Sequence, residues 1–370
     1  MNITNGHIMK NDKKIRLSEV IKMGEMAKTI VFHGVKDIAV EEYPIPKVTD
    51  DKVLVQVEAC AICTWEQRVY TGVKKVDYPF IGGHEMVGTI IDMGKDVDRR
   101  QWKVGDKVTV GVTLACDNCI QCKTGNTQNC EHFDHSKQQE GLPYKGMGGM
   151  SSHLLVSPTK LFKYSKVTPE EATITEPLSC VLHSVETADI QFGDMVLVIG
   201  CGIMGLLHVC LAKARGAAVI VSDMNEDRME KAKGLGASYT INPAKEDLHK
   251  RIAEITDGQL ANVVFDTTPI AAVAEDAIKC AGQRGKVVLY SSFYPDKPVS
   301  FSPDWLHKGA VQILGTANSN ERDFVRAAKL ISEGIVDMKP FISGVYDLDH
   351  VEDAFESAII GDKFRNIIKF

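Results

Sequence analysis

The sequence predicts an α/β protein made of two unlike domains, one β-rich and one built on a doubly wound parallel sheet. From Met26 onward, short strand-like runs are split by turn residues, and after about residue 190 the pattern becomes strand–helix–strand. The chain's 370 residues, at roughly 150 per domain, leave room for about two domains. Its 44% hydrophobic content is enough for a packed core and excludes wholesale disorder. Forty-three Lys and Arg against 49 Asp and Glu give a net charge of −6, which argues against a nucleic-acid footprint or a polybasic membrane surface. No apolar run approaches the roughly 18 residues of a membrane helix, and the first residues lack the apolar core and small-residue cleavage site of a secretory signal. The expected location is the cytoplasm.

Residues 1–25 are polar and lysine-rich. They read as a flexible extension, a start assigned upstream of a true Met26, or a short partner-binding helix around Leu17–Met23. The runs Thr29–Phe32, Val53–Val57, Gly88–Ile91, Lys107–Val110 and Leu154–Val156 predict an antiparallel barrel or sandwich. Thr168-Pro169-Glu170-Glu171 then signals a helix start, with a capping hydroxyl, a proline at the first helical position and a glutamate at the third. Met195–Ile199 is a continuous apolar run, the mark of a parallel strand buried on both faces. A helix over Ile203–Arg215 follows, then strands at Ala218–Val221, Val263–Phe265 and Lys286–Tyr290, a helix over Glu321–Gly334 and a last strand at Asn366–Phe370.

Ten cysteines are present, and four of them, Cys116, Cys119, Cys122 and Cys130, fall in one 15-residue window. Four thiolates so spaced suit a closed tetrahedral zinc site, whose role is structural; an iron–sulfur cluster is the alternative. Gly200-Cys201-Gly202-Ile203-Met204-Gly205 follows the apolar strand and opens a helix. The first glycine makes the turn, the second admits a pyrophosphate and the third packs helix on strand. The amides of Ile203 and Met204 lie at the helix N-terminus that would face the phosphates. Asp223, at the end of the next strand, suits the ribose hydroxyls of NAD, while Arg228 keeps NADP as the less favoured alternative.

Three more segments hold metal-competent side chains: Cys60-Ala61-Ile62-Cys63, Gly83-His84-Glu85 and Thr175-Glu176-Pro177-Leu178. Spacing alone cannot bring them together. In their order, with the four-cysteine lobe, the glycine loop and Asp223, they resemble the zinc-dependent medium-chain dehydrogenases. The resemblance runs from about Met26 to Phe370, and Glu176-Pro177-Leu178 is most similar to the sorbitol and threonine dehydrogenase branch. It implies a GroES-like catalytic domain, residues 26–176 and 317–370, with a zinc lobe at 111–132, interrupted by a Rossmann domain at 177–316. It further implies two zinc ions per chain, the catalytic one in a cleft between the domains, and a homo-oligomer, tetramer over dimer. Cys63 and His84 are the implied direct ligands. Glu85 is implied as a ligand or a supporting carboxylate, Glu176 as a ligand directly or through water, and Arg365 as a contact to the cofactor phosphates. Cys60 matches a cysteine that does not ligate.

The chain departs from the family at Cys63-Thr64-Trp65-Glu66-Gln67-Arg68, where Cys-Gly-Ser/Thr-Asp-x-His is usual. Glu66 keeps a carboxylate. Trp65 and Arg68 replace the hydroxyl and the histidine of a proton relay, and neither can relay: indole has one donor and arginine stays protonated. Gly148-Gly149-Met150-Ser151-Ser152-His153 replaces a segment that normally carries a glutamate. Three routes follow: proton exit through zinc-bound water and Glu176 or Glu85, helped by His153 or Tyr70; a hydroxyl supplied by Thr64 after a small loop shift; or an inactive or differently acting homologue. Trp65, Arg68 and His153 are the expected substrate pocket, with Trp65 offering a flat face to a sugar or cyclic polyol. The expected activity is reversible oxidation of a secondary alcohol, a polyol or sugar-derived hydroxyl, by NAD+. A threonine-type amino-alcohol dehydrogenase and a non-catalytic zinc- and NAD-binding homologue are the alternatives.

Overall fold

The computed structural model describes residues 7–10, 13–16, 25–111, 115–293 and 295–370. The helix expected around Leu17–Met23 lies outside them. The chain divides into two compact units, Met1–Glu176 with Asn320–Phe370, and Pro177–Ser319. Among the described residues no helix is long and apolar enough to cross a membrane.

In the first unit β1 (His7–Lys10) pairs antiparallel with β2 (Lys13–Arg16), and β3 (Met26–Gly34) with β4 (Asp37–Pro44). The main sheet begins with β5 (Val53–Ala61), whose chain runs on into helix α1 (Thr64–Tyr70). It continues with β6 (Glu85–Met93), β7 (Lys107–Val110), β8 (His153–Val156) and β9 (Leu161–Lys163). The sequence patterns mark β3, β5, β6, β7 and β8; they do not mark β1, β2, β4 or the three-residue β9. The capping signal at Thr168 is realised: the backbone N–H of Glu171 donates to the Thr168 hydroxyl at 3.3 Å, and the N–H of Thr168 donates to the Glu171 carboxylate at 2.9 Å. Helix α2 (Thr175–Ala188) follows.

The second unit lays β10 (Met195–Ile199), helix α3 (Ile203–Ala214), β11 (Ala218–Ser222), β12 (Tyr239–Ile241), β13 (Ala261–Asp266), β14 (Ala281–Leu289) and β15 (Gln312–Gly315) into one sheet of order β12-β11-β10-β13-β14-β15. Every pairing in it is parallel. Val196–Val198, Val219–Val221 and Val264–Phe265 are fully buried, as helices on both faces of a parallel sheet require. The strand order reverses between β10 and β13, the switch point at which such sheets bind ligands.

The chain then returns to the first unit. β16 (Ile342–Tyr346) lies parallel to β17 (Arg365–Lys369), and β17 slots antiparallel against β5, giving the order β16-β17-β5-β6-β7-β9 with β8 also on β5. The antiparallel expectation holds for this sheet apart from that one parallel pair. Register matters here: Ala61 faces Glu85 on one side and Ile367 on the other. Three strands from distant parts of the sequence therefore bring Cys63, Glu85 and Arg365 to one end of the sheet. Ala59, Cys60 and Ala61 are buried completely beneath that end, and Cys60 points its thiol at its neighbour's carbonyl, 3.7 Å away.

Candidate active site

Cys63 is the N-cap of α1, so β5 and the helix start fix its backbone together. Glu85 opens β6, and His84 immediately precedes it. Ligand atoms of Cys63, Glu66 and His84 lie within 4.8 Å of one another, as do those of His84, Glu85 and Glu176. The structure thus gathers Cys63, His84, Glu85 and Glu176 about a single imidazole, which spacing in the sequence could not do. Thiol, imidazole and carboxylate are the donor types a catalytic zinc takes, and the residues fit that ion.

The buried carboxylate of Glu66 accepts from the backbone N–H of Gly83 at 3.0 Å and from His84 Nδ1 at 2.9 Å. A carboxylate only accepts, so Nδ1 carries the proton and Nε2 turns toward Cys63, the arrangement that orients a metal-ligating histidine. Burial works against charge on His84, but Glu66 and Cys63 outweigh it and hold the imidazole well above its ordinary value. Burial likewise opposes ionisation of Glu66, and His84 more than offsets it. At Cys63, burial and then Glu85 push the thiol up, against Arg365 and His84.

Arg365 has a different immediate task from the one the family resemblance implies. Its guanidinium is only 2% exposed and clamps Glu85 with two hydrogen bonds of 2.7 Å, while Nη2 stands 3.6 Å from the Cys63 sulfur. It is committed to the thiol–carboxylate cluster. Glu85, with both oxygens held by Arg365, sits as a support beside the cluster and would have to leave the clamp to ligate directly.

Two expected helpers, His153 and Tyr70, are engaged elsewhere, while Thr64 stays next to Cys63. His153 pairs with Gln56, five residues along β5 from Ala61 and some 16 Å away at strand rise. Its backbone N–H and carbonyl are tied to the Tyr43 hydroxyl, so it does not line the pocket. Tyr70 donates its hydroxyl to Glu356 at 2.8 Å. Thr64 is exposed at the first turn of α1. Arg68 makes no ion pair with Glu66, whose carboxylate faces Gly83 and His84. Trp65 is where it was expected, beside the cluster. Its ring stacks on His135 at 5.5 Å and 16°, leans on Phe80 at 5.6 Å, and has the Lys74 ammonium 5.3 Å from its centroid. His135 and Lys74 carry no motif, and only the folded chain reveals them.

In the lobe, Cys119 donates its N–H to the Cys116 sulfur at 3.2 Å and Cys116 donates to Cys130 at 3.3 Å; the Cys119 and Cys122 sulfurs are 3.5 Å apart. The four thiols therefore converge, and they fit a zinc ion. His132 adds a nitrogen 3.3 Å from the Cys116 sulfur and shares a ligand cluster with Cys116, Cys119 and Cys130. The spacing Cys130-x-His132 was the available signal for it. Residues 112–114 of the lobe lie outside the described residues.

The glycine loop sits at the end of β10. Gly200 has φ +93°, a conformation that favours glycine, and a Cβ on Gly205 would come within 1.8 Å of the Gly200 carbonyl oxygen. A Cβ on Gly202 would meet nothing within 4 Å, so the loop leaves open space over the first amides of α3, at Ile203 and Met204. That cradle fits a diphosphate. Asp223 is fixed at its rim, accepting from Cys201 at 2.6 Å and Asn225 at 2.8 Å. Arg228, in the following helix Glu226–Gly234, is near enough for its charge to act on Cys201.

Comparison with known proteins agrees with this geometry. Residues 49–166 match the model of the alcohol dehydrogenase GroES-like domain and residues 204–333 that of the zinc-binding dehydrogenase. The chain is 30% identical to a sorbitol dehydrogenase of Bacillus subtilis over 349 residues, 92% of this chain and 94% of that one. A structure from Sinorhizobium meliloti, described as a zinc-binding dehydrogenase bound to NADP, superposes with TM-score 0.84 at 26% identity, over 94% of this chain and 100% of that one. A structure from Escherichia coli, described as a short chain alcohol dehydrogenase complexed with NADH, does so with TM-score 0.84 at 25% identity over the same shares. A cysteine and a histidine gathered by distant strands, a cysteine lobe and a glycine loop at the sheet's switch point thus occur in a chain that belongs to the zinc-type medium-chain alcohol dehydrogenases, in the branch that includes the sorbitol and threonine dehydrogenases.

Proposed function

We propose that this enzyme oxidises a secondary alcohol of a polyol or sugar derivative with NAD+, giving a ketone, NADH and a proton, and that it runs reversibly. The observation that carries the reading is the gathering of Cys63, His84, Glu85 and Glu176 within ligand distance, with His84 oriented by Glu66. The sorbitol-oxidising relative supports the polyol. We assign residues 26–176 and 317–370 to the catalytic domain and 177–316 to the cofactor domain. Two zinc ions are proposed, one held by Cys63 and His84, with Glu176 reaching it through water and Glu85 in support, and one by Cys116, Cys119, Cys122 and Cys130. NAD is favoured because Asp223 places a carboxylate where a 2′-phosphate would be repelled. The free edge of β15 supports a homo-oligomer.

When bound, zinc supplies Lewis acidity toward the alcohol oxygen, and the nicotinamide supplies a hydride acceptor. The chain's own residues do the rest. Glu66 keeps the His84 ring in one tautomer and one orientation, while Arg365 holds Glu85 and places positive charge beside Cys63. With Trp65 and Arg68 in the relay positions, Tyr70 bonded to Glu356 and Glu85 clamped, we assign Glu176 to take the hydroxyl proton. The glycine loop binds the diphosphate through backbone amides.

Metal analysis and NADH absorbance test this. Two zinc ions per chain and NADH formation with polyols are expected. Cys63→Ser should abolish turnover with the fold kept. Cys119→Ser should instead lower thermal stability, since a structural zinc contributes folding free energy. Wild-type turnover in Cys63→Ser would sink the assignment.

A further inference from the structure

We propose that the substrate carries a carboxylate or phosphate group, and that the wall of Trp65, Lys74 and His135 recognises it. This rests on the reading of the Cys63 and His84 cluster as the alcohol-oxidising centre.

The wall begins two residues after Cys63. Trp65 stacks on His135, and Phe133 meets that imidazole edge-on at 4.4 Å. The charges of His84 and Glu66 act on the His135 ring, which places it beside the reacting centre. Lys74 reaches back over Trp65 because its backbone N–H is anchored to the Arg68 carbonyl at 2.9 Å. Three donors therefore meet around one indole, and none has an acceptor. Trp65 Nε1 is buried with no hydrogen-bond partner among the described residues. Lys74 is half-buried and makes no ion pair among them, and the ring nitrogens of His135 make no hydrogen bond. Arg68, one turn beyond Trp65 on α1, also makes no ion pair among the described residues.

A buried donor without an acceptor costs free energy that is regained only when an acceptor arrives. Among the described residues no acceptor bonds to these donors: Glu66 uses Oε1 on Gly83 and His84 while its buried Oε2 meets no donor, Asp134 accepts from Ser136, and Asp77 pairs with Lys145. A neutral polyol could satisfy one of these donors through a hydroxyl, but it would leave the ammonium unpaired against an aromatic wall. An oxyanion satisfies the ammonium and the indole N–H together, with the stronger charge-assisted bond. The tryptophan that removes the usual hydroxyl from this position thus supplies both a donor and the platform that holds Lys74.

The test uses the full-length, zinc-loaded enzyme and a panel of polyols with their matching aldonates and phosphate monoesters, NAD+ being the oxidant. At least one anionic series should exceed its neutral parent tenfold or more in kcat/KM, and which one does so distinguishes carboxylate from phosphate. Lys74→Ala should cut that anionic-over-neutral ratio at least tenfold, mainly through KM, and Lys74→Arg should restore most of it. Trp65→Phe, which keeps the ring and removes the N–H, should cut the ratio two- to fivefold. Calorimetric titration of the same aldonates and phosphate monoesters reads the contact without turnover, and Lys74→Ala should weaken that binding tenfold. An unchanged ratio in Lys74→Ala, a preference for neutral polyols, or no anion bound by the wild type overturns the proposal. Failure to form NADH from any alcohol would sink the proposed function instead, while the titration still decides the anion contact.

Discussion

The cluster at Cys63 in the first unit and the core of the second treat buried carboxylates and imidazoles differently. In the first, charge is kept and paired: Glu66 with His84, and Glu85 with Arg365, whose guanidinium stays charged because Glu85 and Cys63 outweigh the effect of its burial. In the second, burial wins. His208 of α3, fully buried against Phe265 and Tyr290, is driven down to about 4 by desolvation, with Nδ1 donating to the Met204 carbonyl and Nε2 accepting from Ser184. Asp266, at the end of β13, is pushed up to about 6 by burial although Thr268 donates to it twice. Charge survives burial only where a partner of opposite sign is built in, and the fold builds such partners where polar ligands must hold one orientation. Elsewhere burial shifts the same residue types toward their neutral forms.

The most severe way to break this comparison is to remove a partner. Glu85→Gln should leave the Arg365 guanidinium buried without its counter-charge, costing about 3–5 kcal/mol. A urea midpoint showing less than 1 kcal/mol would mean that the pair is not held as charges. Glu66→Gln should lower zinc affinity or turnover about 10- to 100-fold, because the group that fixes the His84 tautomer is weakened. Zinc competition against a chelator reads it, and the effect should exceed any change in thermal stability.

On the neutral side, the sign can be read from pH. The unfolded chain takes up a proton at His208 near 6.5 and the folded one only near 4. His208 therefore contributes stability that is complete above pH 6.5 and is lost as pH falls toward 4, up to about 3 kcal/mol. Urea midpoints at pH 7.5, 6 and 5 should show a smaller decline in His208→Gln than in the wild type. Asp266 has the opposite sign: its raised value means stability is lost as pH rises from 3.8 to about 6. Asp266→Asn should therefore stabilise the protein by about 1 kcal/mol at pH 7.5, the gain fading toward pH 4.

Much of the fold was legible because its signals are local. The apolar run Met195–Ile199 with the glycines after it, the capping residues at Thr168 and the cysteine spacing each act within one element or one loop. What was not legible has a different cause. His153 stands in an altered segment, which suggests the pocket, yet the register of β8 on β5 carries it down the strand. The family resemblance points Arg365 to the cofactor phosphates, whereas β17 aligns it with Glu85, a contact that no local pattern announces. Lys74 and His135 have no pattern of their own and acquire meaning only from the ring they meet.

Residue order alone determined the strand–helix alternation, the glycine turn and the grouping of four thiols, since each depends on neighbours within a few bonds' reach and on rules of backbone geometry. Tertiary structure decided which carboxylate braces which cation, which imidazole stands beside the tryptophan and which histidine is kept from the pocket. Those outcomes depend on strand register between segments up to 280 residues apart, and a shift of one position in a strand turns every side chain to the other face.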